Sequence, residues 1–598
     1  MRRHSWLSLV VLLELAAAAS PAAAQPTPWE LDPDATPRYP ETIAWCRALA
    51  GSQDRIAYTS FGTSPQGREL PLVIWDRDGL ADPGSCREAG RLVLLVQACI
   101  HAGESCGKDA GMTLMRDLCA DGPSGITVLF IPIFNVDGHE RFGPYGRINQ
   151  NGPREMGWRT TAANLNLNRD YYKADTPEMQ AWLRLWNAWQ PHFLIDVHAT
   201  DGADYQYALT YGLELAGSLD PGLTAWLERY LAAVQPAMAE AGLPIAPYVS
   251  FREWHDPRSG VDSWVATPRF SQGYAAVRNR PALLIEAHML KPYPVRVAAT
   301  RALLDHTLAY LADHRGELRE LTAGADRRAA SAGFRDAPYP VRWAKTDASQ
   351  DFRFLGVAYE ETTSALSGGK YFVYHPERPD TFVVPFYNRP AVAAAVALPE
   401  AYLVPPEWEA VVERLSLHGA AVRRLREPVQ LTVRTWRFRE PVWEPRPFEG
   451  RHPVDFALEP LTVSWLFPAG TAVVDLAQPA APAIAHGLEP EAPDSFARWG
   501  FFDSAMTQVE YVESYVIERM MSRMVADNPS LIDSLAARKA ADPEFAGDPW
   551  AIRTWFYRRT PYYDQRAFVY PIGCLDDRGA VDALPLAAPP ASVEDAGR

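Results

Sequence analysis

Leu92-Val93-Leu94-Leu95-Val96-Gln97-Ala98-Cys99-Ile100 runs directly into His101-Ala102-Gly103-Glu104. A short apolar run without polar alternation suits a strand buried on both faces of a sheet. Gly103 then provides a tight turn, and a helical pattern opens near Gly107. His101 and Glu104 therefore emerge at the carboxyl end of a buried strand, where open α/β folds build their sites. Histidine followed three residues later by glutamate can aim an imidazole and a carboxylate at one zinc ion.

The surroundings extend this pattern. Further runs rich in Val, Ile and Leu at 127–134, 193–198 and 282–286 alternate with helical periodicity at 108–119, 177–189, 223–239 and 295–314. Such alternation predicts an α/β domain over about residues 36–320, with a mostly parallel mixed sheet flanked by helices. Pro236 predicts a kink in its helix. The Ala-, Arg- and Asp-rich stretch 321–337 reads as a linker or frayed helix end. Beyond it, 371–384, 429–438 and 461–474 alternate apolar and polar residues between Pro- and Gly-rich breaks, as half-buried strands do. Helical periodicity returns at 509–528 and 530–541. Residues 338–598 are thus expected to form a β-rich accessory region with a helical C-terminal part, packing on the first domain and restricting access to it.

Composition sets the outer bounds. Of 598 residues 47% are hydrophobic and 22% charged, an ordinary soluble globular balance. A net charge of −15 argues against a broadly basic nucleic-acid surface. Arg2 and Arg3 precede the apolar run 7–19, which leads to Ala22-Ala23-Ala24, the parts of a secretory signal over 1–24. Losing two Arg and one Glu with that signal leaves the mature chain at −16. Glu14 interrupts the apolar run, which is too short for a membrane span, so a secreted or periplasmic protein with no stable span is expected. Five of the six cysteines fall before residue 120. One or two disulfides fit there, with free buried thiols as the alternative, and no CxxC pair offers a structural zinc site.

Three histidines stand three residues before a glutamate. His314/Glu317 lies in a helical run laced with charge, which suits a solvated face. His486/Glu489 lies in the Pro- and Ala-rich 478–493, where a surface position is expected. Only His101/Glu104 is delivered by a strand. The same rule finds a third ligand in His198, which ends the run 193–198; a His2Glu set with one open position is the arrangement of a catalytic zinc. Glu286 ends another buried run. Its alternative is an ion pair with Lys291 or Arg296.

His101-Ala102-Gly103-Glu104, Asn135-Val136-Asp137-Gly138, Trp158-Arg159, Asn166-Leu167-Asn168-Arg169, His198 and Glu286 resemble, in order and spacing, the zinc carboxypeptidases of the carboxypeptidase A type. Gly62 to Arg68 also looks like that family's early strand connection. The resemblance covers about residues 36–320. It implies one zinc ion per chain held by His101, Glu104 and His198, with Glu286 as general base and then acid. It also implies that Arg159 stabilises the oxyanion, and that Asn168 and Arg169 grip the free C-terminal carboxylate of a peptide substrate. Asn166 departs from the family's aspartate, which orients a ligand histidine and carries charge. Tyr274 is a candidate for the family's substrate-closing tyrosine, with a core aromatic as the alternative. Rival readings are a deacylase of the aspartoacylase kind, a peptidoglycan-peptide carboxypeptidase and a zinc-less binding module.

Overall fold

The computed structural model describes residues 26–200, 202–248 and 250–588; the expected signal at 1–24 lies outside them. The first half contains β1 (Ile56–Thr63), β2 (Glu69–Asp76), β3 (Leu92–Ala98), β4 (Ile126–Ile131), β5 (Phe193–Thr200), β6 (Leu209–Leu213), β7 (Ile245–Pro247), β8 (Ser250–Glu253), β9 (Asp256–Asp262) and β10 (Ala282–His288). Eight of these form one mixed sheet in the order β1-β2-β4-β3-β5-β10-β6-β7. β4, β3, β5 and β10 run parallel at its centre, and every residue of these four strands is buried. Their unbroken apolar character follows from coverage on both faces.

The helix Cys106–Asp121 crosses from β3 to β4. It lies so close to the sheet that a Cβ on Gly107 would come within 2.6 Å of Val197, so this position leaves no room for a larger residue. The helices Pro177–Trp189 and Pro221–Glu240 match their periodicity. Pro236 sits inside the second of these without breaking it. The next helix extends from Tyr293 to Ala329, past the expected end at 314, where His314 alone has non-helical angles. Most of the proposed linker 321–337 is therefore helical, ending in a short helix Ala332–Arg335.

The second half contributes β11 (Tyr339–Ala344), β12 (Gln350–Thr363), β13 (Lys370–Tyr387), β14 (Ala391–Val396), β15 (Ala401–Val404), β16 (Arg423–Arg424), β17 (Val429–Trp443), β18 (Val454–Phe467), β19 (Ala472–Asp475) and β20 (Gly573–Leu575). A six-stranded sheet runs β16-β19-β15-β20-β17-β18. The expected strand 461–474 is in fact two, because Pro468 to Thr471 turn the chain between β18 and β19. Helices Ser514–Asp527 and Ser530–Ala541 follow.

The two halves share structure. β13 pairs with β9, so one four-stranded sheet, β12-β13-β9-β8, draws strands from both. One buried cluster likewise joins Tyr171, Tyr172, Trp182 and Tyr274 to Tyr402, Leu415, Ile484 and Phe496. Tyr172 stacks on His418 at 4.5 Å and 11°. All six cysteines are free thiols, five of them buried. They serve as small apolar core residues, so the disulfides that seemed available are absent. Among the described residues no helix is long and apolar enough to cross a membrane.

Candidate metal centre and substrate pocket

Strand register builds the site. β5 and β10 pair in parallel with His198 directly beside Glu286. β3, on the other side of β5, ends just before His101, and a turn bonding Glu104 N–H to His101 O at 2.9 Å swings both side chains over the sheet edge. His101 Nδ1 lies 3.0 Å from Glu104 Oε1, His198 Nδ1 lies 3.1 Å from Glu104 Oε2, and the two Nδ1 atoms are 3.2 Å apart. Tetrahedral ligands about 2.0–2.1 Å from zinc would stand about 3.3 Å from one another. The three donors therefore fit one zinc ion, and they form a potential metal site among the described residues.

The far nitrogens of both rings are engaged. His198 Nε2 meets Asp196 Oδ2 at 2.9 Å, and His101 Nε2 meets Asn166 Oδ1 at 2.9 Å. Such partners fix which ring nitrogen is free for metal. Asn166 thus occupies the orienting position without bringing a charge. Burial pushes the His101 imidazole down to about 4, which keeps it neutral and able to ligate. Burial also opposes charge on His198, but Asp196, Glu104 and Glu286 outweigh it and hold its pKa well above the usual range. Burial raises Glu286 to about 8, opposed by His198 and reinforced by Glu104 and Asp196. The cluster is rich in carboxylates that a dication would balance.

The remaining anticipated residues line the same pocket: Arg159, Asn168, Arg169 and Glu286 border it with the three donors. The cavity holds about 500 Å³. Arg159 Nη1 is 3.5 Å from Glu104 Oε1, with its side chain 43% exposed. Arg169 donates to Asn168 O at 2.8 Å and lies 4.5 Å over the Phe270 ring. Asn168 is buried and its Oδ1 has no hydrogen-bond partner. The Asn135–Gly138 motif ties the site to the strand connection at Ser64 to Arg68. Asn135 Oδ1 accepts from Gly138 N at 2.9 Å. Asp137 accepts from Ser64 Oγ, Gln66 N and Arg68 Nη1 at 2.8, 3.1 and 2.7 Å.

Several residues escaped sequence reasoning. Asp196 stands two residues before His198 on one strand, hence on the same face, and a carboxylate in an apolar run was its signal. Arg147, whose Nη1 lies 2.9 Å from Glu104 Oε1, comes from an irregular loop with no pattern. Tyr248, Trp264, Phe270, Gln272 and Leu284 complete the wall. Tyr274 is not among them: it is fully buried against Tyr171, Trp182 and Trp186, in the core role. Lys291 pairs with Asp204 at 2.7 Å and Arg296 donates to Lys291 O, Asn151 O and Gly152 O, so neither takes the ion pair considered for Glu286. His486 and Glu489 are buried rather than surface residues; they bond to Ser218 at 3.0 Å and to Tyr402 at 2.6 Å. Glu317 is exposed and paired with Arg229 at 2.5 Å, as a solvated face requires.

Residues 42–215 match the family described as zinc carboxypeptidase. These residues form a zinc carboxypeptidase domain. The family uses zinc, and the donor set above could hold it. Carboxypeptidase 2 of Trichophyton rubrum is 24% identical over 492 residues, covering 78% of this chain and 84% of the relative. Its counterpart in Trichophyton equinum is 24% identical over 494 residues, with the same coverage. Alignments that long extend well into the second half. Among solved structures, a metallo-carboxypeptidase from Pseudomonas aeruginosa is 19% identical, covers 47% of this chain and 69% of its own, and has a TM-score of 0.35. One from Burkholderia cenocepacia is 16% identical, covers 46% and 69%, and has a TM-score of 0.34.

Proposed function

We propose that this protein is an exported carboxypeptidase that removes the C-terminal residue of peptides. The observation that carries this reading is the convergence of Glu286 and three arginines, Arg147, Arg159 and Arg169, on a pocket floored by His101, Glu104 and His198. A zinc ion held by those three donors supplies a Lewis acid that polarises a carbonyl and acidifies water. Glu286, beside His198, is placed to accept a proton from attacking water and return it to the leaving amine. Arg159 presents a guanidinium to the developing oxyanion, the kind of fixed charge that favours a transition state over a ground state. Arg169, with the vacant Oδ1 of Asn168 beside it, offers the planar fork that suits a carboxylate.

The wall beyond these charges includes Tyr248, Trp264, Phe270, Gln272 and Leu284. Among the described residues the lining brings no acidic group besides Glu104 and Glu286, which supports a preference for a neutral, apolar C-terminal side chain over a basic one. The Ala-rich N-terminal signal pattern supports export, to the periplasm or beyond.

Zinc content together with mass-spectrometric product analysis on peptides with free or amidated C-termini tests the reading. Single residues lost only from free termini, apolar ones fastest, is the expected result. Internal cuts, or cleavage confined to N-acyl amino acids, would refute it.

A further inference from the structure

The loop carrying Asn166, Asn168 and Arg169 is held by a turn 283 residues further along the chain. Phe448 and Arg451 exchange backbone bonds of 2.7 and 3.1 Å around Glu449 and Gly450. Both central residues are left-handed, at φ 52° and 79°. That is the signature of a type I′ turn, in which Asn, Asp or Gly normally comes first. A glutamate with positive φ is a strained choice, and such strain persists where the surroundings impose it.

Those surroundings are the substrate loop. A Cβ on Gly450 would come within 3.1 Å of Leu165, so the turn rests on the residue before Asn166. Glu449 Oε2 accepts the backbone N–H of Asn166 at 2.8 Å. Arg451 grips Asp175 with two bonds of 2.7 and 2.8 Å. Phe448 stacks on Trp499 at 6.0 Å, and Arg269 lies over both rings while its Nε donates to Asp494 at 2.5 Å. Arg269 also immediately precedes Phe270, the ring beneath Arg169. Asn-Gly would close such a turn with less strain; what distinguishes glutamate is the carboxylate that reaches Asn166.

Asn166 has two tasks. Its Oδ1 holds His101 Nε2 and also accepts from Asn168 N at 2.9 Å, while its own backbone N–H points at the second half. We propose that Glu449 is a positioning residue: by anchoring the main chain of Asn166 it holds the Asn166–Arg169 turn in the conformation that presents Asn168 and Arg169 to the substrate carboxylate. The second half of the chain thereby completes the substrate site. Glu449 also sets a negative charge near Arg169, countering Arg159 and Arg269. This rests on reading Arg169 as the group that holds the C-terminal carboxylate.

The test uses full-length, zinc-loaded protein as wild type, Glu449→Ala and Glu449→Gln, assayed on an N-acylated dipeptide with a free C-terminus, with hydrogen exchange followed over residues 161–170. Glu449→Ala should raise KM about tenfold with kcat nearly unchanged, the loss expected for one charge-assisted bond acting on binding. Exchange over 161–170 should quicken while the melting temperature holds. Glu449→Gln, which keeps an acceptor for Asn166 N–H, should recover most of the KM. An unchanged KM and exchange in Glu449→Ala would overturn the proposal, as would a general loss of melting temperature with kcat and KM both impaired. A wild type inactive on free C-termini would instead overturn the carboxypeptidase reading, and the exchange comparison would still decide the role of Glu449.

Discussion

Replacing Asn166→Asp should tighten zinc binding about tenfold. Asn166 Oδ1 lies 2.9 Å from His101 Nε2, and Nδ1 faces the donor cluster across the ring. With zinc about 2 Å beyond Nδ1, a carboxylate at Asn166 would stand about 6–7 Å from a charge of +2. At an effective dielectric constant of about 20, the attraction is about 5 kcal/mol. Two effects oppose it. The position is only 7% exposed, so ionising a carboxyl there costs several kcal/mol in lost hydration. Glu449, bonded to the same residue's N–H, adds repulsion. A net gain of about 1.5 kcal/mol remains, roughly a factor of ten in affinity, within the range that such outer partners typically control. Titration of the zinc-loaded protein with a competing chelator measures it directly. The reciprocal change Asp196→Asn removes the carboxylate bonded to His198 and should weaken zinc by about the same factor. Unchanged or weaker binding in a folded Asn166→Asp protein would show that charge at this partner does not govern the metal.

Glu286→Gln should retain one zinc per chain and lose on the order of 10²–10⁴ in kcat, as removal of a general base does; metal analysis beside steady-state kinetics separates the two. Arg169→Ala should raise KM for free C-termini by about 2–3 kcal/mol equivalent, the scale of a lost charged hydrogen bond, which steady-state kinetics on a free-terminus peptide measures. Glu214 is buried, accepts from Ala266 N at 3.0 Å and has its carboxyl pushed up to about 8 by burial. The folded state therefore keeps a proton that the unfolded chain releases near pH 4–5. Its stabilisation is full at acid pH and is lost as pH rises towards 8, by on the order of 5 kcal/mol. Denaturant melts of Glu214→Gln should show a flatter pH profile over that window. Deleting residues 338–598 should yield an aggregating or unfolded fragment; a stable, active 26–337 fragment would contradict the shared core.

How much of this was legible follows from what each feature depends on. The convergence of His101, Glu104, His198 and Glu286 on one candidate site was readable because each sits at or just beyond the end of a buried strand, and such runs announce themselves by their length and apolarity. Strand order was not readable, since the β5–β10 register that sets His198 beside Glu286 arises from pairing distant segments. Asp196 was within reach by the two-residue period of a strand. Arg147 was not, because the 142–165 loop carries neither period nor cap to say which side chain turns inward. His486 and Glu489 misled for the opposite reason: a Pro- and Ala-rich passage resembles a surface loop, yet 481–488 is a wholly buried helix packed under the first half.

That helix shows why the boundary between halves was the hardest feature to read. Composition changes near residue 338 because the strands beyond it are half-exposed, and a change in strand exposure looks the same whether the new segment stands apart or shares a core. Here it shares one. Tyr172 in the first half is enclosed by His418 and Phe496 from the second, and its neighbours Arg169 and Lys173 belong to the substrate loop or border it. Arg414 reaches back to Lys173 O at 3.1 Å, and Arg451 to Asp175. A loop that must hold a guanidinium in place against the entropy of an irregular backbone needs contacts on the side away from the sheet. In this chain those contacts come from the second half. The second half is therefore better described as the outer wall of the 166–175 segment than as an attachment to a finished domain, and the proposed carboxylate site rests on contacts from nearly three hundred positions away.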